Sequence, residues 1–306
     1  MRAYILRRLL FSIFVLWGAL TIVFIAVRVV PGDPAQMMAG PQASQQDIAA
    51  LRHQLGLDRP LPVQYAKFLG QVGHLDFGQS LRLNQSAFQA VAGRMQATLL
   101  LAVSAMLIAA LLSFPLGIAA ALRPRSLVDG LVSIFSLLGQ SVPNFWLGLM
   151  FILIFARRFR WLPSSGIGGW QHLVLPALTL ALPLVGVLTR LIRTGLLEVL
   201  NEDYIRTAQA KGLTPRVVIF RHALRNMFIP VITVAGLQLG QLLGGAVIVE
   251  TVFGWPGAGQ LLITAIGNRD YPVVQAAVLF ITGGFILINL LVDLSYGYLD
   301  PRIRYA

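Results

Sequence analysis

Long apolar runs broken by short polar stretches follow one another along almost the whole chain, and their lengths predict membrane-spanning helices. Crossing roughly 30 Å of hydrocarbon at about 1.5 Å per residue takes about 20 mostly apolar residues. Residues 9–27 form one uncharged run, preceded by Arg2, Arg7 and Arg8 and followed by Arg28 and Pro31-Gly32-Asp33-Pro34. The apolar core of a cleaved signal peptide is shorter, about 7–15 residues, so this run reads as a retained anchor. Residues 95–122 are uncharged and contain Pro115 and Gly117. Residues 131–156 are interrupted by Gln140-Ser141-Val142-Pro143-Asn144, and 173–189 are short and broken by Pro176 and Pro183. Runs at 227–249 and 273–292 complete a set of six, which puts both termini on one side.

Arginine and lysine in short loops indicate which side that is. With the N-terminus inside, the inner segments carry Arg2, Arg7 and Arg8, then Arg123 and Arg125. The fourth-to-fifth connection adds Arg190, Arg193, Arg206, Lys211, Arg216, Arg221 and Arg225, and the tail adds Arg302 and Arg304. These outnumber the outer Arg157, Arg158, Arg160 and Arg269, so both termini are expected in the cytoplasm. The cluster at 157–160 runs against that trend.

Two polar segments interrupt the apolar pattern. The first, residues 31–94, exceeds what a connector requires. Ser44-Gln45-Gln46-Asp47 predicts a helix start, with Ile48, Leu51 and Leu55 along one side. Pro62 suits a first helical turn, and Leu61, Tyr65, Phe68, Leu69 and Val72 form a second stripe. Phe88, Val91 and Met95 suit an amphipathic approach to the second span. A lid packed on the outer membrane face and a docking or substrate-guiding element are both consistent with this pattern.

The second segment covers 198–226. Glu202 and Asp203 open a helix, Lys211 closes it and Gly212 follows; Thr214-Pro215 starts another, with Val217, Phe220 and Leu224 on one face. Two stiff basic elements joined at a glycine suit either an interfacial segment or a lever gripped by another protein. The chain thus divides into an N-terminal end and first span (1–30), an extracytoplasmic helical insertion (31–94) and a five-span core (95–306).

Composition agrees with the membrane assignment. The 306 residues are 57% hydrophobic and only 12% charged, half the share usual in soluble domains. Net charge is +12, but it lies between apolar runs rather than along one face, so orientation of spans explains it better than nucleic acid does. There is no cysteine, which removes disulfides, thiolate metal sites and cysteine nucleophiles.

Several kinds of chemistry lack their residues. Neither Lys67 nor Lys211 follows a glycine, so no phosphate-cradling Gly-x-x-x-x-Gly-Lys occurs. His53, His74, His172 and His222 show no metalloprotease spacing, and there is no Gly-x-Ser-x-Gly. No carboxylate or lysine lies inside the six runs; Glu250 and Asp293 are expected just beyond run ends. Both a self-sufficient secondary carrier and an intramembrane hydrolase therefore lack their key groups. Neutral polar residues do occur within spans: Gln140, Ser141 and Asn144 beside Pro143, Gln238 and Gln241 before Gly244-Gly245, and Gln275 and Asn289 in the sixth run. They serve either interhelical hydrogen bonding or the lining of a path for a polar solute.

The stretch Asp203-Tyr-Ile-Arg-Thr-Ala-Gln-Ala-Lys-Gly212-Leu-Thr, then His222-Ala-Leu-Arg-Asn226 and Ile229-Pro230-Val231, resembles the cytoplasmic signature of ABC importer permeases in the dipeptide/oligopeptide/glutathione branch. Val30-Pro-Gly-Asp-Pro34, Leu55-Gly-Leu-Asp58, Asp76-Phe-Gly-Gln-Ser80, Trp255-Pro-Gly257, Arg269-Asp-Tyr-Pro272, and Asn289-Leu-Leu-Val-Asp293 with Asp300-Pro-Arg-Ile303 resemble the same branch, in order, from end to end. The Trp170-Gln-His172 region looks closest to glutathione-type permeases. Against the general importer signature aligned on Gly212, only Ala208, Gly212 and Leu224 match; Arg206, Thr207, His222 and Arg225 depart from it.

The resemblance implies an all-α membrane protein with the type I ABC importer permease fold, six transmembrane helices and a helical insertion after the first. It implies a coupling helix using Asp203, Tyr204, Arg206, Thr207, Ala208, Lys211, Gly212 and Leu213; the neutral polar residues named above remain the candidates for the translocation path. It further implies a second homologous permease, two ATPase subunits that hold the ATP and magnesium, an extracytoplasmic solute-binding protein and the bacterial inner membrane. The expected solute is a di- or oligopeptide or glutathione, with a nickel chelate or an opine as the alternative. No cofactor, metal or catalytic residue is expected in this chain.

Overall fold

The computed structural model describes residues 2–29, 35–36, 43–80 and 82–299. The motifs at 30–34 and 300–303, and Arg302 and Arg304, lie outside the described residues. Apart from an isolated bridge between Gln79 and Ser86, every regular element among the described residues is helical. These are α1 (Arg2–Val29), α2 (Gln45–Leu55), α3 (Leu61–Gly73), α4 (Ala87–Leu122), α5 (Leu127–Ser141), α6 (Asn144–Arg158), α7 (Gln171–Leu200), α8 (Asp203–Ala210), α9 (Pro215–Val252), α10 (Ala258–Gly267) and α11 (Tyr271–Leu299). Five of them, α1, α4, α7, α9 and α11, are long and apolar enough to cross a membrane, and the bent pair α5–α6 is a sixth where the two helices are counted as one span.

That bend is the first departure from the apolar pattern. Residues 131–156 do not form a straight span: the chain turns by 103° between α5 and α6. Pro143 forces this, because its ring drives Val142 out of the helical region to φ −85°, ψ 126°. The fourth run, by contrast, is not broken at its prolines. The α7 helix runs through Pro176 and Pro183 and on to Leu200, well past Thr189. Packed neighbours satisfy backbone groups freed by proline, so such helices persist in membrane proteins. Arg190 and Arg193, counted above as loop charges, are therefore on a spanning helix. Likewise the helix begun at Pro215 does not stop. It passes through a π-helical turn, Val218–Ala223, into the fifth span and ends only at Val252, so Glu250 lies inside a helix. The second span begins at Ala87, so a boundary at 94/95 falls within α4.

The core forms where α4 meets α7. The α4 side is a row of small residues, Ala102, Ala105, Ala109 and Gly117, all buried, facing Leu180, Leu184, Leu188 and Ile192. A Cβ on Gly117 would stand 2.6 Å from Ile192 Cγ2, so the two helices touch nearly backbone to backbone. In lipid, where the apolar effect between helices is absent, this close contact supplies the attraction. Arg193 of α7 donates from both Nε and Nη2 to Asp129 at the start of α5, and the Arg125 amide donates to the same carboxylate at 2.9 Å. Asp129 is 5% exposed, so Asp129→Ala strands a half-buried guanidinium. The expected loss is about 3 kcal/mol, visible as a lower midpoint in thermal unfolding of the detergent-solubilised protein.

The two helices after α1 form by local rules. At α2, Ser44 and Asp47 cap one another reciprocally, and the Ser44 hydroxyl holds the Asp47 carboxyl below its usual range. Of the predicted stripe Ile48 is buried, while the side chains of Leu51 and Leu55 lie outside the described set. α3 docks on the end of α1. Phe68 packs on Leu20 and Phe24, Tyr65 and Thr21 share a hydrogen bond of 2.6 Å, and Arg28 covers the Phe24 ring while donating to Gln64 at 3.1 Å. Further along, Ser80 donates to Asp270 at 2.5 Å and Phe77 is buried with Ala258, Ala265 and Val273. Two motifs far apart in sequence, 76–80 and 269–272, therefore meet.

Candidate functional site

α8 is a two-turn helix held by one side only. Ile205 and Ala208 are buried with Ala121 at the end of α4, Leu196 of α7, and Val218 and Ala223 of α9. Asp203, Tyr204, Arg206, Thr207, Lys211, Gly212 and Leu213 are all exposed. Of the coupling residues inferred by resemblance, Ala208 alone faces inward, as part of the seat rather than of the open face. The helix stops where the sequence predicts: Lys211 occupies the C-terminal cap and Gly212 adopts φ +77°, which lets the chain reverse into Pro215. Asn226 of α9 donates to the Tyr204 hydroxyl at 2.6 Å, so the two segments that carry the resemblance are hydrogen-bonded to each other.

The neutral polar residues fall in separate places. Gln140 and Ser141 end α5 at the bend and Asn144 begins α6 beyond it. Gln140 accepts a hydrogen bond from Arg190 of α7 at 2.6 Å, and Ser141 donates to the Leu137 carbonyl at 2.9 Å. Gln241 lines a groove of about 340 Å³ between α9 and α11, together with Gly240, Gly244 and Thr282. Gln238 is half-buried on α9. Asn289 packs beside Gly240, its Oδ1 buried and without a hydrogen-bond partner among the described residues. Gln275, half-buried near the start of α11, stands apart from the rest. Among the described residues no cluster of His, Asp and Glu suits a metal ion.

Sequence reasoning missed one buried and hydrogen-bonded polar site. Glu250, expected beyond a span end, is fully buried. Its Oε1 accepts from Thr98 of α4 at 2.6 Å and its Oε2 from the Gln260 amide at 2.9 Å, while the Thr98 hydroxyl accepts from the Ala258 amide at 2.8 Å. The carboxylate thus caps the first turn of α10, where unpaired amides and the helix dipole favour an anion. Trp255-Pro-Gly257 forms the loop between them: the Trp255 amide returns to the Glu250 carbonyl and its indole donates to Ala97 at 3.0 Å. A Cβ on Gly257 would overlap the Glu250 carboxylate. The sequence signal was a carboxylate followed by a Trp-Pro-Gly turn and small residues, separable from a span end only once α10 is known to be a helix.

The family described as "Binding-protein-dependent transport system inner membrane component" matches residues 113–305, and its companion "Binding-prot-dependent transport system membrane comp, N-term" matches 1–102. The chain belongs to this family. Among relatives of the permease, the "Glutathione transport system permease protein GsiC" of Salmonella paratyphi A is 45% identical over 302 residues, 99% of each chain. The "Probable peptide ABC transporter permease protein y4tP" of Sinorhizobium fredii is 42% identical over 313 residues, 100% of each. Among solved structures, the methionine ABC transporter MetNI in an inward-facing conformation superposes with a TM-score of 0.55 at 17% identity, over 69% of this chain and 97% of that one. An amino acid ABC transporter with histidines gives 0.54 at 16% identity, over 69% and 94%. These last two show the fold alone, that of a type I ABC importer permease. The permease is thus a multi-pass membrane component of a transport system, with the expected helical architecture.

Proposed function

We propose that the permease is the membrane subunit of an ATP-driven importer that carries di- or oligopeptides, glutathione among them, into the cytoplasm. One observation carries the mechanical part: α8 is exposed on one face and seated through Ile205 and Ala208 on the ends of three spanning helices. A push on that face is delivered to α4, α7 and α9 together. The substrate class follows the named relatives, whose likeness covers the insertion as well as the core.

In this reading both termini and α8 are cytoplasmic, and residues 31–94 form the external insertion between a first span within 1–30 and the core of 95–306. Two ATPase subunits bind ATP and magnesium, because this chain contains no phosphate-binding loop of its own. Their closure moves the open face of α8, formed by Asp203, Tyr204, Arg206, Thr207, Lys211 and Leu213. A second, homologous permease completes the path, a solute-binding protein delivers the peptide, and the halves alternate between outward- and inward-open states. In this reading the chain is a transport subunit, and the chemistry of ATP belongs to the ATPase subunits.

Reconstitution tests this directly. In proteoliposomes the permease alone is expected to move no labelled glutathione or dipeptide, and uptake should appear only with the partner permease, ATPase subunits, binding protein and MgATP. Gradient-driven uptake by the isolated chain would overturn the reading in favour of a secondary carrier. Competition by a nickel chelate or an opine, but not by peptides, would move the substrate class while leaving the mechanism in place.

A further inference from the structure

Two arginines one turn apart on α7 reach in opposite directions. Arg193 extends to Asp129 at the start of α5, and that pair is neutral. Arg190 extends the other way, donating to Gln140 near the end of α5 at 2.6 Å, and among the described residues it meets no carboxylate. At about 1.5 Å per residue, Gln140 lies roughly 20 Å along α5 from its start. An arginine stabilised by lipid phosphate snorkels towards the nearest interface. Arg190, exposed in this chain, instead turns along α5 away from the Arg193–Asp129 end.

Between the two arginines lies a groove of about 210 Å³ whose lining includes Ser133, Thr189, Arg190 and Thr194 on its polar side and Val132 and Leu137 on its apolar side. Thr189 is 1% exposed, yet its hydroxyl has no hydrogen-bond partner. Buried hydroxyls are rarely left unpaired, and an unpaired one that lines a cavity points to a ligand or water held there. The open stripe of α7 here is Arg190 and Thr194, unsuited to hydrocarbon, whereas Leu131, Ile134 and Leu138 on another face of α5 are exposed and apolar. The groove therefore joins an apolar wall on α5 to a polar α7 side, on which Arg190 is a positive charge with no carboxylate opposite it among the described residues.

We propose that this groove receives the carboxylate of the passing peptide, with Arg190 as counter-charge and the Thr189 hydroxyl as a hydrogen-bond donor. The inference rests on the peptide-import reading. It adds to that reading a selective station for an anionic end group inside the membrane subunit, in a space sized for that end rather than for a whole peptide.

The absence of cysteine in the chain makes the test direct. In the complete complex, in phosphatidylcholine vesicles, T194C is labelled with an anionic or a cationic methanethiosulfonate and the product is read as mass added to this chain. The anionic reagent is expected to react about tenfold faster than the cationic one; R190Q in the same background should remove the preference and R190K should retain it. A substrate peptide with a free C-terminal carboxylate should slow labelling at concentrations where its amide does not. Equal rates for the two reagents, or equal protection by acid and amide, overturn the assignment. Protection by added phosphatidylglycerol but not by peptide overturns it too, assigning the site to a lipid headgroup. ATP-driven uptake by the unmodified complex, measured in parallel, reports on the transport reading separately.

Discussion

Glu250→Ala is expected to remove most of the folded protein from a detergent extract. The carboxylate is fully buried inside a bundle of apolar helices and satisfies Thr98 and the Gln260 amide directly, with the Ala258 amide held through Thr98. Its loss leaves the Gln260 amide without its acceptor and the Thr98 hydroxyl, which holds the Ala258 amide, without the group it donates to. Each buried hydrogen bond to a charged group contributes about 1.5–3 kcal/mol, and donors stranded without a partner add their own desolvation cost. Two or three such bonds lost together amount to about 3–5 kcal/mol, a large fraction of the marginal stability of a typical domain. Glu250→Gln keeps the shape and one acceptor oxygen, so it should cost about 1–2 kcal/mol on the same grounds. Gly257→Ala should resemble the alanine variant at 250, because the added methyl has to occupy the carboxylate's space. Thermal unfolding by size-exclusion chromatography orders the three; an E250A protein as stable as the parent would mean the clasp is dispensable.

What the sequence showed and what it hid divide along a physical line. Features set by neighbouring residues were legible: the capping pair Ser44–Asp47, the proline start at Pro62, the stop at Lys211-Gly212 and the positions of six apolar runs. What depended on distant packing was not. Pro183 looks like a helix breaker only while the helices around it are unknown, and Pro143 looks much the same although it bends the chain sharply. The difference is that Val142 leaves the helical region and Leu182 does not. The interior charges failed for a related reason. Arg190 and Glu250 each stand one position past an apolar run, and a hydropathy pattern ends a span at its first charge. Both belong to longer helices in which the charged group is hydrogen-bonded from another helix: Arg190 donates to Gln140 of α5, and Glu250 accepts from Thr98 of α4. For α8 the resemblance supplied the residues, whereas the structure shows that Ile205 and Ala208 form its seat.

Gly212→Val is expected to lower ATP-driven peptide uptake at least tenfold while the complex still assembles and hydrolyses ATP. The reason is conformational and not steric. At φ +77° the backbone is in the left-handed region, yet a Cβ built there has nothing within 4 Å. Valine thus meets no neighbour, but its branched side chain raises the energy of that φ by roughly 1–2 kcal/mol or more, and the turn relaxes by reorienting α8 relative to α9. Because α8 is held by little more than Ile205, Ala208 and the Tyr204–Asn226 hydrogen bond, a change of direction at the hinge tilts its whole open face. Gly212→Asn supplies the control, since asparagine enters the left-handed region at small cost, and it should keep most of the uptake. If the lever assignment is right, valine and asparagine diverge in uptake while both keep ATP hydrolysis. Equal uptake in the two variants would mean that the bend at Gly212 does not transmit the motion, and the connection between motor and spans would have to be sought elsewhere on the face of α8.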